Sequence, residues 1–201
     1  MKTPALVDVS VLLIFFNRPD TFAQVFEQVR KARPARLFLY QDGARNDGDL
    51  AGMEACRRIA DGVDWDCEVY KLYKEKNLGC NPSGYIAHKW AFSLTDKCIV
   101  LEDDVVPSVS FFAFCKEMLD RYEHDERVGM IAGFNPEEQS ECDGDYLFNS
   151  NFSIWGWASW RRVVDKWDEN YAFLRNPYAL SCLNEIISER KMRRDFLYRC
   201  R

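Results

Sequence analysis

Two hydrophobic periods alternate along this chain. Val9 to Phe16 is a continuous β-prone run without polar alternation, the pattern of a strand covered on both faces. "NRPDT" ends it, and after Pro19 the apolar residues Phe22, Val25, Phe26 and Val29 recur at helical spacing. "ARLFLYQDGA" predicts a second strand over Leu37 to Tyr40, closed by a polar turn at Asp42 and Gly43. Residues 46–66 read as a helix in a polar setting, and "CEVYKLY" as a third strand by alternation. "NLGCNPSG" has the Asn, Gly and Pro content of a loop, after which Pro82 suits the first helical position behind an Asn81 cap. Ile86, Ala87, Trp90, Ala91 and Leu94 form the buried stripe of that helix. Lys97 to Leu101 is a fourth strand, "SFFAFCKEMLDRY" a helix with Phe111, Cys115, Met118, Leu119 and Tyr122 on one face, and Val128 to Ala132 a further strand.

Strands alternating with helices imply right-handed crossovers and an α/β fold with a mostly parallel central sheet. The chain shows no internal repeat, low-complexity tract or linker, so residues 1–201 are expected to form a single domain. Ligands of such sheets gather beyond the C-terminal ends of the strands. Three polar clusters fall at those ends: Asn17 with Arg18, Gln41 with Asp42 and Gly43, and Glu102 with Asp103 and Asp104. The topology is expected to bring them together.

Composition narrows the partners. A hydrophobic content of 47% suffices for one substantial core, and the net charge of −5 argues against nucleic acid, whose phosphates need clustered Lys and Arg. The basic residues Arg190, Lys191, Arg193, Arg194, Arg199 and Arg201 are a local exception, read first as a solvated helix face and second as an anion patch or peripheral membrane contact. The eight cysteines are scattered singly, with no C-x-x-C pair, which favours a reducing, cytoplasmic compartment over a disulfide framework. Two histidines without Cys/His spacing make a structural zinc site a poor reading. The N-terminal apolar run follows an aspartate, Asp8, and lacks a small-residue cleavage site, so it reads as a buried strand rather than a signal peptide.

The candidate chemistry lies in "DKCIVLEDDVVPS". Adjacent carboxylates at a strand end suit a hard divalent cation, Mn²⁺ or Mg²⁺, completed by water and substrate phosphates. Such a cation neutralises the charge of a departing diphosphate, and Arg18 could add a guanidinium to the same anion. The competing reading is a solvated turn that caps the following helix. Gly79 suits a positive φ, a close ligand approach or an ordinary turn. His88 reads as a satisfied, partly buried histidine rather than a base. Asp143 and Asp145 read as a turn, because the remaining ligand positions of a calcium loop are missing. "SIWGWASW" offers Trp155, Trp157 and Trp160, either as core packing or as a wall beside a sugar ring.

Five segments, "VLLIFFNRPDTFAQVFEQV", "LFLYQDGA", "NLGCNPSG", "IVLEDDVVPSVSFFAFC" and "SIWGWASWRRVVDKW", occur in this order. Together, from about Val9 to Trp167, the chain resembles a bacterial family of nucleotide-sugar-dependent glycosyltransferases of the GT-A fold, and more distantly the N-acetylglucosaminyltransferase I family. The resemblance implies a Rossmann-like α/β/α sandwich and a DxD-type motif in Glu102, Asp103 and Asp104. It implies Asp104 as the metal ligand, Asp103 and Glu102 as contacts to ribose or donor sugar, Arg18 beside the diphosphate and Asp42 as hydrogen-bond acceptor from uracil. Asn17 and Gly43 flank those contacts, the Asn77–Gly79 loop passes close to the donor, and Trp155, Gly156 and Trp157 lie toward the acceptor.

The implied reaction is transfer of a sugar from a nucleotide-diphosphate sugar, in first place a UDP-sugar, to a carbohydrate or glycoconjugate acceptor hydroxyl, with inversion. Inversion needs an Asp or Glu base. Asp168, Glu169, Glu185, Glu189 and Asp195 are the acids after the tryptophan cluster, and none matches the family's base position, which lies in a segment further along; the chain is therefore expected to be C-terminally incomplete. The rival readings are a non-catalytic sugar-nucleotide-binding module and a metal-dependent phosphatase or phosphoacceptor domain; the latter leaves "QDG" and the tryptophans unexplained.

Overall fold

A computed structural model describes residues 2–135, 144–149 and 153–200, so Asp143 lies outside the described residues. The chain forms two compact units, one ending at Asp165 and one beginning at Lys166. In the first, strands β1 (Val7–Phe15), β2 (Pro34–Gln41), β3 (Glu68–Tyr73), β4 (Lys97–Glu102), β5 (Ile131–Ala132) and β6 (Trp157–Trp160) build one sheet of order β3-β2-β1-β4-β6-β5. β1 pairs in parallel with β2 and β4, and β2 with β3, whereas β6 runs antiparallel to both β4 and β5. This is the mostly parallel, Rossmann-like α/β/α arrangement expected from the sequence.

Helices cover both faces because each central strand is apolar on both. Val11, Leu13, Leu37, Leu39, Ile99 and Leu101 point to the face shared with residues of α1 (Pro19–Ala32), α2 (Asp47–Ala60) and α4 (Val109–Arg121). The alternate residues Leu12, Phe38, Tyr40, Cys98 and Val100 pack with residues of α3 (Cys80–Leu94) and with Val164 of the short helix α5 (Arg161–Val164). Each fully buried Leu or Phe contributes roughly 1.5–3 kcal/mol of transfer free energy.

Several boundaries differ from the sequence expectation. The helix expected over 46–66 ends at Ala60, where the Asp61 N–H closes on Arg57 O at 2.9 Å. α3 starts at Cys80 with Gly79 as its cap at φ +86°, so Pro82 lies inside its first turn. The expected strand Val128–Ala132 shrinks to Ile131–Ala132, because the Val128 N–H is drawn into a turn on Asp125 O at 3.1 Å. "WASW", a tryptophan cluster in the sequence, is a buried strand. The second unit contains a 3₁₀ turn (Ala172–Arg175), α6 (Pro177–Ile186) and α7 (Arg190–Arg199), with Phe173 and Phe196 in ring contact at 6.3 Å. No helix among the described residues is long and apolar enough to cross a membrane.

Candidate functional site

β1, β2 and β4 are parallel neighbours, so their C-terminal ends deliver Asn17–Arg18, Gln41–Gly43 and Glu102–Asp104 to one edge of the sheet. The alternation of β4 continues past its end: Asp103 is buried while Glu102 and Asp104 are exposed. Asp103, only 3% exposed, accepts the Phe16 N–H at 3.0 Å on one oxygen and an Arg18 guanidinium N–H on the other. Arg18 also donates to Asp104 at 2.8 Å. The positive partner of the acid run is thus Arg18, and Asp103 fastens the end of β1 to the end of β4. The hydrogen bond to Asp103, followed by the charges of Asp103 and Asp104, raises the Arg18 pKa against partial burial. Partial burial, with the neighbouring Asp104 and Asp103 charges, pushes the Glu102 carboxyl up.

Asp42 is equally engaged. At 8% exposure it accepts the N–H of Gly43 at 2.9 Å and of Leu78 and Gly79 at 3.0 Å, together with Asn77 Nδ2 at 3.0 Å. Its carboxylate thereby clamps residues 77–79 to the end of β2; the resemblance implies the same carboxylate as a hydrogen-bond acceptor from uracil. Gly43 lacks a side chain for a local reason: a Cβ there would lie 2.3 Å from the Lys76 carbonyl carbon. Asn17 donates to Asp49 at 2.6 Å, and Asp49 also accepts the Arg45 backbone N–H at 3.0 Å and its guanidinium at 2.9 and 2.7 Å. These bonds, led by the one from Arg45, hold the Asp49 pKa at about 2. Gln41, fully buried, donates to Phe16 O and Met53 O and accepts from Arg57. Gln41 is expected from the sequence only as a member of its strand-end cluster, and Asp49 has no reading there; the Arg45/Asp49 spacing of four residues is the available signal for it.

Beside the acids opens a cleft of about 560 Å³ lined by Glu102, Asp104, Val105, Phe111, Phe134 and Trp155 among others. Trp157, expected near the sugar, is 8% exposed and stacks on His88 at 5.2 Å, whereas Trp155 is 62% exposed and faces the cleft. The reason is Gly156 at φ +73°, which interrupts the strand alternation between the two rings. Trp160 is core, its indole N–H donating to Leu119 O at 3.0 Å. His88 is buried with Nδ1 hydrogen-bonded to Gly84 O, and desolvation depresses its pKa to about 4. It reads as a core histidine.

A divalent cation fits here only where protein, water and substrate share its coordination. Asp103 has both oxygens engaged within the protein, leaving Asp104 and Glu102 as the carboxylates that face the cleft. Among the described residues no group of three or more His, Cys, Asp or Glu side chains is placed to hold a metal ion by itself. The remaining ligands would come from water and a phosphate-bearing substrate, the usual arrangement for Mg²⁺.

No family model and no curated protein matches the chain. Among solved structures it is similar to a 4-diphosphocytidyl-2C-methyl-D-erythritol synthase from Anaerococcus prevotii DSM 20548, at 10% identity and a TM-score of 0.43, over 85% of this chain and 77% of that one. A likeness this distant carries no statement about chemistry.

Proposed function

We propose that this chain is a metal-dependent glycosyltransferase of the GT-A type that moves a sugar from a nucleotide-diphosphate sugar, in first place a UDP-sugar, to a hydroxyl of a carbohydrate or glycoconjugate, with inversion. The observation that carries the reading is the meeting of Arg18, Asp103 and Asp104 at the ends of β1 and β4, at the mouth of a cleft lined by Glu102 and aromatic rings.

Each residue has a role in this reading. Asp104 supplies the protein oxygen for Mn²⁺ or Mg²⁺, and the bound ion would stabilise the charge of the leaving diphosphate. Arg18, with its side chain 52% exposed, turns a guanidinium toward the same phosphates. Glu102 accepts a hydroxyl of ribose or donor sugar. Asp103 positions Arg18, Asp42 and Gly43 position the 77–79 loop, Gly79 opens α3 beside that loop, and Asn17 fixes the β1–α1 turn through Asp49. Trp157 supports the cleft from the core side. The acids Asp168, Glu169, Glu185, Glu189 and Asp195 belong to the unit that begins at Lys166.

Calorimetry with UDP, with and without Mn²⁺, tests the proposal. Wild-type protein is expected to bind UDP in a Mn²⁺-dependent way, and Asp104→Ala to weaken that binding by roughly a hundredfold. Sugar release from a UDP-sugar supports the transferase, whereas binding without release supports the binding module. Failure to bind any nucleotide diphosphate, or an unchanged Asp104→Ala, refutes the proposal.

A further inference from the structure

Phe134 and Trp155 are large aromatic side chains, 43% and 62% exposed, whose ring centroids lie 5.2 Å apart at 53° on one wall of the cleft. Single exposed apolar residues are ordinary, but two converging rings in a concave site mark a binding surface. Their placement is set by the backbone. Gly133 donates its N–H to Gly156 O at 2.9 Å, joining the segments that carry the two rings. A Cβ on Gly133 would lie 2.4 Å from the Phe111 ring, and Gly156 sits at φ +73°. Both positions exclude a larger residue without rearrangement, and both bring the backbone close behind the wall. The floor is Phe111 and Val105, and the carboxylates Glu102 and Asp104 close one end.

An aromatic wall with hydrogen-bond acceptors at one end matches one chemistry closely. A pyranose ring has an apolar C–H face and a rim of hydroxyl donors. An acyl chain would offer Glu102 no hydrogen-bond donor, and an anionic group would meet its charge together with that of Asp104. From this geometry we infer that Phe134 and Trp155 form the platform for a pyranose ring, with Glu102 accepting its hydroxyls. The inference rests on the reading of the site as one for a sugar nucleotide, and it adds which rings hold the sugar. That sugar is either the donor's own or the acceptor's, and the two sources can be separated.

The test uses wild type, Trp155→Ala, Trp155→Phe and Phe134→Leu, all exposed positions, with thermal melting as the folding control. One arm titrates the methyl pyranosides of glucose, galactose and N-acetylglucosamine, followed by saturation-transfer NMR. The other titrates the matching UDP-sugars against UDP itself, with Mn²⁺, by calorimetry. Loss of an aromatic face is expected to weaken at least one pyranose ligand by roughly tenfold in Trp155→Ala, with Trp155→Phe largely restoring it. Loss in the methyl pyranoside arm assigns the platform to the acceptor, and loss confined to the UDP-sugars assigns it to the donor sugar. The inference is overturned if no pyranose ligand in either arm depends on Trp155, or if UDP alone weakens as much, which would place the base on the platform. Wild type that binds no UDP yet binds a pyranoside through Trp155 sinks the proposed function and leaves this inference standing. Mn²⁺-dependent UDP binding without any Trp155-dependent sugar contact does the reverse.

Discussion

Asp42 offers the sharpest test of how the site is held together. Four N–H donors, from Gly43, Leu78, Gly79 and the Asn77 side chain, converge on one carboxylate at 2.9–3.0 Å. A hydrogen bond to a charged group has a net value of roughly 1.5–3 kcal/mol, but these four share one ion whose burial costs several kcal/mol. The expected loss for Asp42→Ala is therefore about 2–4 kcal/mol, or roughly 5–15 °C in Tm for a chain of 201 residues. Asn is no remedy. Its single oxygen can keep about half of the donors while its amide N–H₂ faces the others, so Asp42→Asn is expected to lose nearly as much as Asp42→Ala. Urea unfolding gives the stability, and amide hydrogen exchange at Leu78 and Gly79 localises the effect. An Asp42→Asn protein within about 0.5 kcal/mol of wild type, with exchange at those two amides unchanged, would refute the clamp.

Three further outcomes are expected. Gly43→Ala drives a Cβ against the Lys76 and Asn77 backbone and should cost about 1–3 kcal/mol, whereas Gly84→Ala, with nothing within 4 Å, should add up to about 1 kcal/mol in the interior of α3; paired urea melts compare them. His88 has a folded-state pKa of about 4 against an ordinary 6.5, so the unfolded chain binds more protons between these values. Stability from its neutral burial is complete above pH 6.5 and is lost as pH falls, reaching about 3 kcal/mol by pH 4; urea midpoints for His88→Phe should fall less steeply over that window. Asp104→Asn should raise UDP affinity measured without metal while removing the gain given by Mn²⁺; a drop in the metal-free affinity counts against the electrostatic account.

Much of the architecture was legible because β1, β2 and β4 are apolar on both faces and end in polar clusters, so strand direction alone predicted which groups would meet. β6 was not legible. Its four residues are all buried, leaving no alternation to read, and its neighbours β4 and β5 are distant in sequence. The inward use of Asp42 and Asp103 was hidden for a related reason. Their partners include the backbone N–H groups of Leu78, 36 positions away, and Phe16, 87 positions away, and backbone donors carry no sequence signature. Trp155 and Trp157 stand two positions apart in one tryptophan cluster, and nothing in that spacing tells them apart. Only the left-handed conformation of Gly156 separates an exposed ring from a buried one.

Electrostatics then says what this geometry demands of a ligand. Glu102, Asp103 and Asp104 are offset by Arg18, which pairs with both aspartates. The cluster keeps an excess of negative charge, the same excess that helps push Glu102 up. A diphosphate approaching without a counterion meets like charges, each costing about 2–4 kcal/mol at 4–8 Å for an effective dielectric near 20. Arg18 cannot offset this freely, because each contact it gives to phosphate competes with one it gives to Asp103 or Asp104. A divalent cation held beside Asp104 would change the balance: it would offset the carboxylates, free the guanidinium and add its own attraction. On the proposed reading the cation is therefore what allows a site already furnished with its internal ion pair to accept an anion at all.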